Sequence, residues 1–504
     1  MSADLVRDPA DAAKRTWDLI VVGGGIQGVA LTLEASRRGL ATLLVERDDF
    51  GGATTWSSLR IVHGGLRSLQ SLDLSRYREA VRDRRWFLRH FPDLVAPLPC
   101  LMPLYTPPRG GRLRRRSVFR LALAANRFLS RHRNRGVRPD RHLPPGRVLD
   151  VEGTLRVFPE AGREGLCGGA LWYDGVLTEP SRLVIEMLRW ASACGARALN
   201  YVEATGLLVE GVKGGRVEGL QAVDRASGRS LELRAPIVVS CAGPWSRALA
   251  ARFDRDLPEL FRPVLGFNVL LECEPPSRCA LAVAAPGPAS QTWFVTPFGG
   301  TGRTLAGTRY LPAAQGLGAG PREEDVADFL AELDAALPGL GMRKAPVAQV
   351  LWGWLPAATE GGVIPGSRPA VHDHGAAGGP AGLWSVSGVK LTTAHSLAGK
   401  VLTRVFARRG LPLPALGSVG RPPADPPPPL SHLVHLATRE PEIVRETLRG
   451  IAERQAVVRM EDLLWRRTDW GLLPDAGAAI RLCSLLEASA PGQEMRAARA
   501  GAAR

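Results

Sequence analysis

Gly23, Gly25 and Gly28 stand at the spacing Gly-x-Gly-x-x-Gly directly after the apolar run Asp18-Leu19-Ile20-Val21-Val22. Glu46, followed by Arg47, closes the next apolar run at 41–45. Each residue type has a task in phosphate chemistry. Gly23 permits a tight turn off a strand, Gly25 lets backbone approach a pyrophosphate, and Gly28 lets the following helix pack on the sheet. Gly24, Ile26 and Gln27 fill the turn, where a helix N-terminus offers unpaired N–H groups to the phosphates. Glu46 can accept hydrogen bonds from a ribose diol. A lone glycine triplet is weak evidence, but strand, glycines, helix, strand and acid in that order are specific. The pattern predicts a chain that binds an adenine dinucleotide.

The elements that must position such a ligand follow from the rest of the sequence. A helix is expected over 29–38, then a polar loop at 51–58 that contains Thr54, Thr55 and Ser58, and a second loop carrying Arg60, His63, Gly64, Gly65 and Arg67. Helical patterning covers 74–90, 149–158 and 179–194. Short β runs at 207–212, 216–223 and 230–234 are separated by hairpin-type turns at Gly214-Gly215 and Ser227-Gly228. A buried parallel strand at 235–242 ends in a turn at Gly243, and further strands cover 265–272, 292–296 and 304–308. A late strand-to-helix turn spans 384–393, with its helix running through 407. Prolines at 422–429 read as an extended spacer, and the apolar spacing beyond 430 is helical.

The expected fold class is α/β, α+β overall, with a Rossmann-like domain split in sequence, a β-rich substrate domain and a small α-helical C-terminal domain. The main region spans 1–415, its dinucleotide-binding segments at about 16–105, 150–250 and 360–410 and its β-rich domain mainly at 251–359. A linker follows at 416–430 and the helical domain at 431–504. A nucleotide domain interrupted by β-rich material favours FAD over NAD.

Apolar content of 45% with 23% charged residues in 504 suits a globular chain of two or three domains. No apolar run approaches the ~18 residues needed to span a bilayer. Residues 1–14 are polar, without a secretory apolar core. Seven scattered cysteines with no Cys-x-x-Cys argue for reduced thiols, a cytoplasmic location and no metal site. The net charge of +16 is concentrated: a dozen arginines lie between Arg109 and Arg141, where Asp140 is the sole acid. Within that run 118–129 reads as an amphipathic helix suited to an anionic membrane surface. A solvated basic face is the bland alternative, and the lack of a nucleic-acid module argues against nucleic acid.

Several blocks together resemble the FAD-dependent glycerol-3-phosphate dehydrogenases. They are 18–46, His63-Gly64-Gly65-Leu66-Arg67, Cys241-Ala242-Gly243-Pro244-Trp245, Gly388-Val389-Lys390-Leu391-Thr392-Thr393 and Asp462-Leu463-Leu464-Trp465-Arg466-Arg467-Thr468. They occur in family order across nearly the whole chain. The resemblance implies a D-amino-acid-oxidase-like flavin domain, a β-rich substrate domain and a helical cap; no motif demands attachment of the FAD, so non-covalent binding is assumed. It implies oxidation of glycerol 3-phosphate or a related polyol, with electrons passed to membrane quinone, or to oxygen as in some relatives. It also implies a peripheral position on the inner face of the cell membrane through 109–141, and allows a homodimer.

Flavin oxidation of an alcohol requires hydride departure to the ring and removal of the hydroxyl proton. His63 is a candidate for the flavin side, either as base or as a loop histidine that shapes the pocket. Arg67, Arg368 and Lys390 match family positions near substrate or flavin. The resemblance places Thr54, Thr55, Ser58 and Arg60 in a loop around FAD, and Gly388, Leu391 and Thr392 beside it. Departures cluster on substrate binding. The family's phosphate-gripping arginine is Leu355, its tyrosine after His-Gly-Gly-Leu-Arg is Ser68, and its substrate-domain histidine is absent near Asn268. Arg309 is a candidate replacement for the lost grip. A paralogous oxidoreductase for another hydroxy or amino substrate, or a degenerate flavoprotein, stands as the alternative.

Overall fold

The apolar runs at both ends of the glycine turn form the centre of a parallel sheet in a computed structural model of the chain. It describes residues 3–109, 114–211, 214–286, 291–313, 316–425, 430, 433, 436, 439–473 and 477. Six strands lie in the order Ala370–Asp373, Leu383–Ser387, Val238–Ser240, Leu19–Val22, Thr42–Val45 and Arg197–Leu199. All neighbours are parallel except the first pair. Alternation sends Leu19 and Val21 toward one core and Ile20 and Val22 toward another. The first core is closed by helices Ile26–Ser36, Pro180–Ala193 and Ala394–Arg408. The second is closed by an antiparallel sheet of Val202–Glu210, Arg216–Asp224 and Ser230–Arg234. Burial on both faces explains why these strands read as continuous apolar runs.

The β-rich layer is a nine-stranded sheet, and here the expected boundary of 251–359 is corrected. Ile61–Val62, Val95–Tyr105, Arg147–Leu149 and Leu166–Leu177 all join it from the N-terminal half. Val95–Tyr105 escapes a strand reading because it contains Pro97, Pro99 and Pro103. The three share parity, so their missing N–H groups fall on one edge, and the other edge pairs with Leu166–Leu177 along its length. The C-terminal part of the sheet packs Phe267, Val269 and Trp293 on Phe329 and Leu333 of helix Glu323–Ala336.

Described parts of the C-terminal segment include helix Pro441–Arg454 and a turn of π-helix at Leu463–Arg467, with a core of Val444, Leu448, Ile451, Leu463 and Trp470. Most of the expected 431–504 domain beyond 473, Cys483 and prolines 426–429 lie outside the described residues. The segment is joined to the six-stranded domain by buried charges. Arg467 forms a bidentate pair with Asp49 at 2.5 and 3.0 Å, Arg60 reaches Asp469 at 2.8 Å, and Tyr201 donates to Asp462 at 2.6 Å. Glu179 accepts the Leu430 N–H at 3.0 Å.

Two predictions follow from that joint. Asp49→Asn leaves the buried Arg467 without its counter-charge and should destabilise the docked segment by about 3–5 kcal/mol, read as faster proteolysis within 439–473. Burial, followed by the charge of Asp469, pushes Glu179 from its ordinary 4.5 up to about 7. Between those values the native state holds a proton that the unfolded chain releases, so docking should weaken as pH rises from about 4.5 to about 7. Melting temperatures across that range, compared with Glu179→Gln, check the sign.

Candidate active site

Where the strand Leu19–Val22 meets the helix Ile26–Ser36, backbone closeness dictates glycine. A Cβ on Gly28 would stand 2.0 Å from the Gly23 carbonyl oxygen, and one on Gly23, at φ +110°, would stand 2.6 Å from that of Cys241. Gly24 lies behind the turn and donates its N–H to Glu46 Oε2 at 2.6 Å. The helix has Gly25 at its N-cap and no side-chain cap from it, while Thr55 Oγ1 accepts the Ile26 N–H at 3.1 Å. Burial raises the Glu46 carboxyl against the opposing N–H groups of Asp48 and Gly24.

A cleft of about 1600 Å³ opens from this turn and is lined by both large sheets and the C-terminal segment. Gly23, Gly25, Ile26, Gln27, Glu46, Arg47, Thr54, Thr55, Ser58, Arg60, His63, Gly65, Arg67, Gly243, Gly388, Lys390, Leu391 and Thr392 all line it. Gly24, Gly28 and Gly64 stand behind the lining as close-packing positions. Arg368 is exposed beside the cleft, whose wall there runs from Val363 to Ser367. Arg60 is consumed structurally: its guanidinium holds Asp469 and the Thr178 carbonyl and stacks 4.3 Å over Phe298. Arg309 pairs with Glu332 at 2.6 Å on the far side of its strand. Strand alternation turns Thr308 and Tyr310 into the cleft and Arg309 away.

His63 is 45% exposed along the cleft wall, its Nδ1 3.5 Å from Asp174 Oδ2. Asp174 is buried and also accepts from Gly64 N–H and Arg84 Nη1, each at 2.7 Å, and from Trp172 Nε1 at 3.2 Å. Burial alone would raise its carboxyl, but the His63 ring, the Arg84 charge and the Gly64 N–H override burial and hold it at about 2. Asp174 and Arg84 were missed from sequence. The signal for Asp174 was an acid inside the otherwise apolar run 166–177, and Arg84 was hidden among the arginines of a helix.

Arg67, Arg76, Arg114 and Lys390 stand together in the lining. Lys390 is exposed by surface area, yet the surrounding walls, then the charges of Arg76 and Arg67, lower its pKa. Burial and Arg67 do the same to Arg114. In the same cleft, Leu355 and Tyr310 close over Gly266, where a Cβ would stand 2.8 Å from Leu355 Cδ1. Asn268 spends its amide on Ser57 O and its carbonyl on Thr308 Oγ1, both at 2.8 Å.

The donor set fits a dinucleotide: a glycine cradle, an acid at the next strand end, and two buried acceptors or donors without a protein partner, Gln27 Oε1 and Ser58 Oγ. The profile of the FAD dependent oxidoreductase family matches residues 18–405. Glycerol-3-phosphate dehydrogenase 1 of Mycobacterium tuberculosis is 33% identical over 425 residues, covering 81% of this chain and 76% of that one. The chain belongs to the FAD-dependent glycerol-3-phosphate dehydrogenase family. The glycerol-3-phosphate dehydrogenase of Synechocystis sp. is 28% identical over 416 residues, covering 80% of this chain and 72% of its own. The structure of the glycerol-3-phosphate dehydrogenase from Bacillus halodurans complexed with FAD shares the fold. Its TM-score is 0.68 at 19% identity, over 97% of this chain and 94% of that one. The enzyme is an FAD-dependent oxidoreductase, and its cofactor is FAD.

Gly28→Ala drives a methyl into backbone that cannot yield. It should weaken FAD binding at least roughly tenfold, equivalent to about 1.4 kcal/mol, seen as a fall in the flavin-to-protein absorbance ratio.

Proposed function

We propose that the enzyme oxidises glycerol 3-phosphate to dihydroxyacetone phosphate and passes the electrons to a membrane quinone. The observation that carries the substrate is the cationic cluster in a cleft continuous with the dinucleotide cradle. Like charges that lower one another's pKa gain from a bound dianion, and guanidinium groups suit phosphate because they donate bidentately. On this reading the grip that Leu355 cannot supply has moved to Arg67, Arg76, Arg114 and Lys390. Arg76 is steadied by Asp73 at 3.2 Å and Arg114 by Thr292 Oγ1. Mutual repulsion in the free cluster is relieved on binding, which favours a doubly charged ligand over a neutral polyol.

In the reaction the substrate's O–H and C–H bonds break and a carbonyl forms. Gly25, Gln27, Glu46, Ser58 and Thr392 are among the residues that would hold FAD, which would supply the hydride acceptor. His63 receives the hydroxyl proton, and Lys390 and Arg67 hold the anionic end of the substrate.

The membrane reading rests on helix Arg116–Leu129. Phe119, Ala122 and Leu123 are buried, while Leu121 and Phe128 are 74% and 67% exposed among Arg120, Arg127 and Arg131. Leu72, 82% exposed, follows the short helix Leu66–Gln70 that packs against it. Apolar side chains flanked by arginines suit peripheral insertion into an anionic surface. Among the described residues no helix is long and apolar enough to cross a membrane.

A second reading, oxidation of a different hydroxy or amino compound, draws support from the apolar wall of Leu355, Tyr310 and Gly266 and from an Asn268 tied up in structural bonds. Anaerobic addition of glycerol 3-phosphate decides between them. Rapid bleaching of the flavin, absent with glycerol, supports the first reading; a flavin reduced by dithionite but not by glycerol 3-phosphate supports the second. Arg76→Leu or Arg114→Leu should raise the half-saturating concentration roughly 10–100-fold, or about 1.4–2.8 kcal/mol. Leu121→Asp with Phe128→Asp should abolish sedimentation with anionic vesicles and leave that bleaching unchanged.

A further inference from the structure

We propose that Asp174 is a positioning residue that fixes the tautomer and aim of His63, with Arg84 holding the carboxylate from behind. The inference rests on the reading of His63 as the proton acceptor. It explains what the His63-Gly64-Gly65 turn is for.

The four parts interlock. Asp174 Oδ2 lies at His63 Nδ1, so an Nδ1 proton has a carboxylate to donate to, and Nε2, across the ring, is left with its lone pair turned away from Asp174. Asp174 Oδ1 is held by two donors at 2.7 Å, the Gly64 N–H and Arg84 Nη1. Arg84 Nη1 also donates to the Tyr173 carbonyl at 2.8 Å, so that one nitrogen is shared between the carbonyl and the Asp174 carboxylate. Gly64 leaves room for Arg84 to lie over it: a Cβ there would stand 1.9 Å from Arg84 Nη1 and displace the guanidinium from Asp174. Gly65, at φ +80°, lies against Ala80 and Tyr77, so the same turn seats the loop on the helix Leu74–His90 that carries Arg84.

Asp174 itself is a poor base. It is ionised throughout the working range and lies behind the ring, in contact with Trp172 and Arg84. Its effect passes through His63. The charged groups about that imidazole are Asp174 on the strand Leu166–Leu177, Arg84 on the helix behind it, and Arg67 four residues along the same cleft wall. Phe294 contributes its ring, with centroids 5.7 Å apart. In the reaction the hydroxyl proton moves to His63 Nε2 while the Nδ1 proton stays in place; the resulting imidazolium faces the Asp174 carboxylate.

The test uses the FAD-loaded full chain with 15N-labelled histidine. The His63 signal, assigned by its loss in His63→Gln, should report protonation at Nδ1, and Asp174→Asn should abolish that preference. Stopped-flow reduction by glycerol 3-phosphate without oxygen supplies the second readout. Asp174→Asn should lower the limiting rate roughly 10²–10⁴-fold. In a His63→Gln background the same substitution should change the rate by no more than about twofold. A His63 signal indifferent to Asp174→Asn, or equal losses in the two backgrounds, overturns the assignment. If Asp174→Asn does not retain flavin, Asp174→Asn/Arg84→Gln, which leaves no unpaired charge, replaces it in both measurements. Failure of glycerol 3-phosphate to reduce the wild-type flavin would overturn the substrate reading, and the nitrogen spectra would still decide this one.

Discussion

The approach of the helix Ile26–Ser36 to the strand Leu19–Val22 is the constraint from which the rest of the cofactor end is built. With no side chain at Gly23 or Gly28, the helix start comes down onto the ends of three parallel strands. Glu46 then reaches back to the Gly24 N–H, and Thr55 to the Ile26 N–H. One backbone contact thus sets the positions of the acid, the polar loop and the unpaired N–H groups. Space for the dinucleotide is created by omission of atoms, and a Cβ at Gly23 or Gly28 would meet backbone there.

Elsewhere the layers are joined by buried charges. Arg467–Asp49 and Arg60–Asp469 tie the C-terminal segment to the six-stranded domain and to the loop beside it, and Arg84–Asp174 ties a helix to the nine-stranded sheet. Such pairs contribute little net stability, since desolvation offsets most of the attraction, but a misplaced partner is costly. They therefore act as registers. Each one ends at the cleft: Trp465 and Arg466 line it beside Arg467, and His63 lines it beside Asp174. The relative placement of sheets and cap is thereby coupled to the geometry of the site.

The two ends of the cleft differ in what defines them. The cofactor end is defined by backbone contacts, where substitution meets carbonyl oxygens. The substrate end is a strand surface on which alternate residues point into the cleft, so Leu355 and Tyr310 can vary without breaking the ladder, whereas Asn268 is held by Ser57 and Thr308. Specificity can be rebuilt there at low structural cost. The proposed anion grip of Arg76 and Arg114 comes instead from the helix Leu74–His90 and from the segment before the helix Arg116–Leu129.

The sequence by itself determined the dinucleotide turn, the helix Leu74–His90, the amphipathic helix within the basic run and the late strand-to-helix turn. Each is local, specified by apolar period or by glycines that a nearby backbone requires. It also picked out many of the residues that line the cleft, because they sit in contiguous motifs beside those elements. Only the tertiary structure decided that 61–62, 95–105, 147–149 and 166–177 belong to the β-rich layer, since prolines mask one strand and pairing across scores of residues leaves no local period. It also decided that Arg60 and Arg309 are spent on Asp469 and Glu332, that Arg368 stands outside the cleft wall, and that Asp174 backs His63. A side chain's partner is a property of the packed layers. Among 65 basic residues, no spacing rule says which ones the fold will neutralise and which it will leave facing the cleft.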